Sequence, residues 1–165
     1  MKDLLKIGFG GGCHWCTEAV FMALKGVEKV EQGFIAPKGA TDDFSEAVIV
    51  HFNKDKIGLK DLVEIHLNTH KSSKNHSMRD KYRSAIYFFK SDEEVKMNQF
   101  LLELQKDFAD SIITSVIPFG EFKSSEERFQ NYYFSDIDKP FCKTHISPKI
   151  DLLKNKFSNL VDTKI

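Results

Sequence analysis

The segment GFGGGCHWC, at residues 8–16, contains the residues of this chain that are best suited to chemistry. The preceding LLKIGF (4–9) has the apolar character of a buried strand, and CTEAVFMALKG (16–26) has helical spacing that ends at a glycine. Cys13 therefore lies where a strand turns into a helix. The N–H groups at a helix start stabilise a thiolate, and glycines allow a sharp turn that leaves the sulfur accessible. We predict that Cys13 is a reactive thiol with a pKa below the ~8.5 of free cysteine.

Other interpretations of these residues stay open at this point. A cysteine in such a position can also be a small buried core residue. Cys13 and Cys16 have the C-x-x-C spacing of a thioredoxin-like redox pair. The glycines partly resemble a dinucleotide-binding turn, but Cys13 takes the place of its third glycine, which argues against a nucleotide site. Zinc needs about four ligands, and Cys142 is the one further cysteine, so no metal site is predicted.

The periodicity of apolar residues predicts an alternation of strands and helices along the whole chain. The predicted strands are 4–9, 27–35, 44–52, 82–89 and 111–119, and the predicted helices are 16–26, 59–70, 91–109, 124–134 and a last one from residue 150. This order resembles the split βαβ pattern. We therefore expect an α+β fold, a two-layer ferredoxin-like sandwich with helices against one mixed, mostly antiparallel sheet. At 165 residues, a single domain over 1–165 is expected.

Composition narrows the class of protein. The chain has 24 Lys and Arg against 24 Asp and Glu, so no global basic excess points to nucleic acid. No apolar run approaches the ~20 residues of a membrane helix, and the N-terminus reads as a strand rather than a signal peptide. We expect a cytoplasmic monomer that binds neither membrane nor nucleic acid. A run of five basic residues is expected to be mainly solvated surface: Lys71, Lys74, Arg79, Lys81 and Arg83.

Five pieces of the sequence together carry a family resemblance. They are GGGCHWCTEAVF, GVEKVEQGF, SEAVIVHF, YRSAIYFF and PFCKTHISPK. The chain resembles methionine sulfoxide reductase type A, which reduces the S epimer of methionine sulfoxide, and the similarity extends from residue 7 to 150. The resemblance implies thiol-dependent reduction of methionine S-sulfoxide, free or in proteins. It implies no metal or organic cofactor, and it implies electrons from thioredoxin or another dithiol.

The resemblance also assigns catalytic roles. Cys13 would attack the sulfoxide sulfur and become a sulfenic acid while methionine leaves. Glu46, on a presumed buried strand face, would give a hydrogen bond or a proton to the sulfoxide oxygen, and Tyr82 would hydrogen-bond the same oxygen. Cys142 would resolve the sulfenic acid by forming a disulfide with Cys13, and Cys16 is the rival resolving thiol.

Substrate binding would involve five further residues. They are His14, Trp15, Phe34, Ser77 and Asp80. The Trp15 ring would form a wall against the substrate methyl group. His14 stands where the family has phenylalanine, which adds a titratable ring to the pocket. Ser77 takes the position of a family aspartate, with Asp80 near but out of register, and a family tyrosine is missing from 35–43, so the set of oxygen-binding groups is thinner than in the family.

Two functions from other classes compete with the reductase. One is a thiol–disulfide oxidoreductase that acts through the C-x-x-C of Cys13 and Cys16. The other is a non-catalytic relative that binds oxidised methionine, which the missing tyrosine and aspartate would favour. Turnover of a small disulfide without turnover of sulfoxide distinguishes the first, and tight binding without turnover distinguishes the second.

Overall fold

The computed structural model describes residues 4–40, 42–74 and 81–162. The strands are β1 (Leu4–Gly10), β2 (Val27–Pro37), β3 (Ser45–Asn53), β4 (Ala85–Phe88) and β5 (Ser115–Ser124). The helices are α1 (His14–Met22), α2 (Leu59–Asn68), α3 (Ser91–Leu104), α4 (Tyr132–Ser135) and α5 (Ser147–Lys156), and a π-helical turn (Cys142–Ile146) precedes α5. Within these described ranges, no helix is both long enough and apolar enough to span a bilayer.

The five strands form a closed barrel in the order β1-β3-β2-β5-β4. Neighbouring strands are antiparallel except β4 and β5, which run parallel. The expected two-layer ferredoxin-like sandwich is therefore wrong. An open sheet ends in two unpaired edges, whereas β4 pairs on both sides here, through Ile86 with Phe9 of β1 and through Tyr87 with Ile117 of β5. Local periodicity finds strands but does not specify which distant strands pair, and this pairing decides between a sandwich and a barrel.

The strands carry apolar residues on both faces because both faces are covered. On β3, Val48, Val50 and Phe52 belong to the larger core cluster, which lies between the barrel and its helices. Ala47 and Ile49 belong to a smaller cluster with Ile35, Ala85 and Tyr87. Since successive side chains of a strand point to opposite faces, this second cluster fills the barrel interior. Glu46 has the same parity as Val48 and so faces the helices.

One glycine of β2 allows the close approach of two strands. Gly33 pairs with Ala47 of β3 on one side and with Ser124 of β5 on the other. A Cβ at Gly33 would lie 2.0 Å from the backbone oxygen of Lys123, so any side chain would force the strands apart. The carbonyl oxygen of Gly33 faces the first turn of α1, where it accepts a side-chain hydrogen bond.

The observed elements differ from the predicted ones mainly in the second half of the chain. The strand predicted at 111–119 is displaced to β5, which continues through Gly120 because Glu121–Ser124 pair with Gly33–Ala36 of β2. The helix predicted at 124–134 contains only a 3₁₀ turn (Glu127–Phe129) and the short α4. Here Asn131, with a φ of 56°, interrupts the helical path.

Candidate active site

Cys13 lies at the start of α1, at the end of the glycine-rich turn. It is the N-cap residue, and its carbonyl oxygen accepts hydrogen bonds from the backbone N–H groups of Cys16 and Thr17 at 3.0 and 3.1 Å. Gly11 has a φ of 152°, and a Cβ there would lie 2.4 Å from the ring of His70. The turn therefore depends on glycine both for its backbone conformation and for its contact with His70.

A cavity of about 660 Å³ opens beside this turn. Cys13 and Cys16 line it together with Tyr82, Phe141 and Lys149. Cys13 is only partly buried, so its sulfur is accessible from the cavity. The predicted reactive thiol therefore lies at the N-terminus of α1 and faces a cavity that a small side chain can enter.

The two thiols of the C-x-x-C act as one electrostatic unit. A hydrogen bond between the side chains, followed by burial, raises the pKa of Cys13, and a backbone hydrogen bond from Trp15 opposes this effect. The same side-chain hydrogen bond lowers the pKa of Cys16, and the charge of Lys149 lowers it further. The sequence predicted a lowered pKa for Cys13, but the hydrogen bond between the two thiols and the charge of Lys149 place the lower pKa on Cys16.

Glu46 lies at the same helix N-terminus. Its side chain is buried, with 6% of the residue exposed, and its Oε1 accepts a hydrogen bond of 3.2 Å from the backbone N–H of His14. Oε1 is also 3.5 Å from His14 Nε2, and Oε2 is 3.6 Å from Lys81 Nζ. The negative charge of Glu46 contributes to the raised pKa of Cys13. The carboxyl and the thiol are thus electrostatically coupled at the first turn of α1.

His14 is held in a fixed orientation between α1 and β2. Its Nδ1 lies 2.7 Å from the carbonyl oxygen of Gly33, and the residue is 6% exposed. The ring packs edge-on against Phe34, with the ring centroids 5.1 Å apart. Two of the residues predicted to bind substrate, His14 and Phe34, are therefore in contact with each other and lie beside Glu46.

Trp15 lies in a group of aromatic rings. Its indole stacks on Tyr132, with centroids 4.2 Å apart and an interplanar angle of 17°, and on Phe129 at 5.3 Å. Phe141, which lines the cavity, contacts the indole edge-on at 5.2 Å. These contacts fix the orientation of the indole. Phe141 forms part of the cavity wall, and the indole packs against it.

Glu18 connects the cluster of aromatic rings around Trp15 to α1 through hydrogen bonds. Its carboxylate is buried and accepts hydrogen bonds from the backbone N–H groups of Asn131 and Tyr132 and from the side chain of Gln32, at 2.9, 3.2 and 2.9 Å. Burial raises the pKa of Glu18, and the three hydrogen bonds partly offset that effect. Sequence analysis did not identify Glu18, Phe129, Tyr132 or Phe141. A glutamate within an apolar stretch of helix is a signal of a buried polar anchor that was available in the sequence.

Tyr82 lines the cavity from the segment that leads into β4. The adjacent Lys81 has its Nζ 5.1 Å from the Tyr82 ring centroid, and a hydrogen bond to Tyr82 together with the charge of Glu46 raises the pKa of Lys81. Lys81 was predicted only as part of a solvated basic run. Its contact with Glu46 makes it a member of the site.

Three predicted residues remain, and one of them, Cys142, belongs to the same core cluster as Cys16. Cys142 lies on the π-helical turn with 0% of its surface exposed, and burial raises its pKa. Ser77 and Asp80 lie outside the described residues. Within the part of the chain that the structure describes, no group of three or more His, Cys, Asp and Glu side chains could hold a metal ion.

Comparison with known proteins identifies similar proteins over nearly the whole chain. The family model of peptide methionine sulfoxide reductase matches residues 5–161. The peptide methionine sulfoxide reductase MsrA of Pasteurella multocida is 33% identical over 92% of this chain and 95% of the relative. Mxr1 from Saccharomyces cerevisiae in reduced form has a TM-score of 0.76 at 21% identity, covering 88% of this chain and 94% of Mxr1.

A second yeast structure, Mxr1 in complex with Trx2, has a TM-score of 0.63 at 20% identity and covers 80% of this chain and 88% of that chain. At such identities the two yeast structures establish the shared fold. The match to the family model and the identity to the bacterial relative extend over nearly the whole chain. The chain therefore belongs to the peptide methionine sulfoxide reductase family.

Proposed function

We propose that this protein is a peptide-methionine (S)-S-oxide reductase, which reduces methionine S-sulfoxide, free or in proteins, through a Cys13 sulfenic acid and then a disulfide. The observation that carries the proposal is the meeting of Cys13 and Glu46 at the N-terminus of α1, where the thiol is accessible and the carboxyl is buried. A nucleophile beside a proton donor is what attack on a sulfoxide requires.

In the first step, the sulfur of Cys13 attacks the sulfur of the sulfoxide. As the new bond forms, the proton of Cys13 passes to Cys16, whose side chain is hydrogen-bonded to it. The S–S bond made by this attack breaks again as the oxygen moves from the substrate sulfur to the sulfur of Cys13 and takes a proton from Glu46, so the S–O bond of the substrate is replaced by an S–O bond to Cys13. The substrate sulfur gains two electrons and Cys13 loses two, so the products are methionine and Cys13 sulfenic acid.

The rings around Trp15 support a role in binding the substrate methyl group. A methyl group makes no hydrogen bonds, so flat apolar surfaces suit it. Phe141 provides such a surface on the cavity wall, and the indole of Trp15 packs against it. Tyr82 lines the same cavity and would hydrogen-bond the sulfoxide oxygen.

In the second step, we assign Cys16 as the first resolving thiol. Its side chain is hydrogen-bonded to Cys13 and lines the same cavity, whereas Cys142 does not line that cavity. Attack of Cys16 on the sulfenic acid forms the Cys13–Cys16 disulfide and releases water. A dithiol then reduces this disulfide. The yeast structure of Mxr1 with Trx2 supports a thioredoxin as that dithiol.

The proposed setting is a reducing compartment, the cytoplasm, where the protein acts as a monomer. All three cysteines, Cys13, Cys16 and Cys142, are free. Reducing compartments keep thiols in this state, and a reductase that depends on a free thiol needs it.

The first test measures the reaction and its stereochemistry. The protein is incubated with dithiothreitol and with the separate S- and R-sulfoxides of N-blocked methionine, and methionine formation is followed by chromatography. We expect turnover of the S epimer only. Reduction of insulin disulfides without any sulfoxide turnover would instead assign a thiol–disulfide oxidoreductase, and tight binding without turnover would assign a non-catalytic binder.

A second test identifies the resolving thiol. Cys16→Ser should keep dithiothreitol-driven turnover and lose at least about tenfold of its thioredoxin-driven turnover, because no adjacent thiolate remains to attack the sulfenic acid. Cys142→Ser is the matched control and should keep both activities. Non-reducing peptide mapping after a single turnover should find a Cys13–Cys16 disulfide. Loss of thioredoxin-driven activity in Cys142→Ser alone would transfer the resolving role to Cys142.

A further inference from the structure

His14 has one ring nitrogen whose proton is fixed and one that can exchange its proton. Nδ1 lies 2.7 Å from the carbonyl oxygen of Gly33. A carbonyl oxygen only accepts hydrogen bonds, so Nδ1 carries a proton and donates it. The titrating nitrogen is therefore Nε2, which lies 3.5 Å from Glu46 Oε1. The register of β2 with β3, in which Gly33 pairs with Ala47 and Phe34 with Glu46, produces this arrangement.

The charged and titratable groups around this pair come from the segment before β4 and from α1. From the segment before β4, Lys81 Nζ lies 3.6 Å from the other carboxyl oxygen of Glu46. From α1 come the thiols of Cys13 and Cys16 and the carboxylate of Glu18, whose pKa the charge of His14 helps to lower against the opposing effect of burial. Since His14 and Glu46 are both buried, water screens their mutual interaction only weakly.

We propose that His14 and Glu46 hold one transferable proton between them, and that His14 resupplies Glu46 as the carboxyl protonates the sulfoxide oxygen. This proposal rests on the reductase activity proposed above. The proton enters the carboxyl at Oε1 from His14 Nε2 and leaves from the carboxyl to the substrate oxygen. After the step, the pair has lost one proton, the substrate sulfur has gained two electrons, and the oxygen with that proton is on Cys13.

The shared proton extends the pH range over which the oxygen can be protonated. A lone carboxyl loses its proton near pH ~4.3 and an imidazolium near pH ~6.5. When two groups share one proton, the proton belongs to the pair. The pair keeps it to a higher pH than the weaker base would on its own. Lys81 repels a proton in every variant that retains it, so it does not alter the comparison between variants. Phenylalanine at this position, as in the family motif, would leave Glu46 to bind the proton alone.

The test uses single-turnover kinetics, which removes the pH dependence of an added reductant. Reduced protein in excess is mixed with methionine S-sulfoxide from pH 5 to 9, and the release of methionine is timed. In His14→Phe and His14→Gln, we expect the alkaline limb of the rate to move to lower pH by about one unit or more. Phenylalanine restores an apolar ring and glutamine keeps polarity, so a shift in both variants isolates the loss of the proton. An alkaline limb at the wild-type pH in both variants would overturn the proposal.

His51→Gln provides a matched control. His51 Nε2 lies 2.7 Å from Glu31 Oε2, which makes a second His–Glu pair on the same sheet, but His51 pairs with Lys6 and Lys29 rather than lying at the first turn of α1. We expect its pH profile to coincide with that of the wild type. A shift of the same size in His51→Gln would show that the effect is a general one of removing a histidine, and would also overturn the proposal.

An NMR titration measures the coupling without turnover. The ¹³Cε1 signal of His14 is followed with pH in the wild type and in Glu46→Gln. The ring of the variant should lose its second proton at a lower pH, because the neutral amide no longer stabilises the imidazolium. Equal titration midpoints would overturn the shared proton even if sulfoxide is reduced normally. Coupled titration in a protein that reduces no sulfoxide would instead reject the proposed activity and leave the pair intact.

Discussion

Cys13→Ser should reduce methionine S-sulfoxide at no measurable rate with dithiothreitol as reductant. Oxygen transfer requires an atom that becomes a sulfenic acid, and a serine hydroxyl can neither ionise near neutral pH nor take up the oxygen. The substitution should not unfold the site, since serine is among the preferred N-cap residues and Cys13 makes no side-chain cap hydrogen bond of its own.

The experiment also decides between two thiols that line one cavity. Cys16 remains in the Cys13→Ser variant, three residues further along α1. Chromatographic measurement of methionine after long incubation, with circular dichroism as a check on folding, gives the answer. Residual turnover in Cys13→Ser that disappears in the double variant with Cys16→Ser would transfer the nucleophile to Cys16.

Glu46→Gln should lower kcat/KM for the S-sulfoxide by about 10²- to 10⁴-fold, which is the usual contribution of a positioned general acid. Glutamine has the same shape, and its amide oxygen can still accept the hydrogen bond from the backbone N–H of His14, so the local structure is retained. What the variant loses is the transferable proton.

A second measurement on the same variant should change in the opposite direction. The hydrogen bond to Cys16 and burial are the main causes that raise the pKa of Cys13, and the charge of Glu46 adds to them, so removal of that charge lowers the pKa and increases the thiolate fraction. Alkylation of Cys13 by iodoacetamide, followed by mass spectrometry, should therefore become faster while sulfoxide reduction becomes slower. A parallel fall in both rates would show that Glu46 maintains the position of the thiol rather than supplying a proton.

Local sequence pattern was sufficient for the elements that carry their own signal. The strand predicted at 44–52 is β3, and the helices predicted at 59–70 and 91–109 are α2 and α3 with shorter C-terminal ends. Each of these has an apolar periodicity over its whole length. The barrel itself depends on the pairing of β1 with β4, which joins residues that are far apart in sequence and have no local signature.

The same distinction separates the site residues that were found from those that were missed. Cys13, Trp15 and Glu46 belong to short motifs, so they could be read from the sequence. Tyr132 stacks on Trp15, and its backbone N–H donates a hydrogen bond to Glu18, a contact across 114 residues of chain. Lys81 lies in the site because the backbone N–H of Glu46 donates a hydrogen bond to the carbonyl oxygen of Lys81. A list of basic residues does not reveal this contact.

The closed order of the five strands has a consequence for a protein that handles damaged chains. A sheet with an open side offers unpaired N–H and C=O groups, to which any extended polypeptide can add as a further strand. In the described residues, each strand of this barrel has a partner on both sides over at least part of its length. The closed order therefore shortens the stretch of unpaired backbone to which a further strand could add.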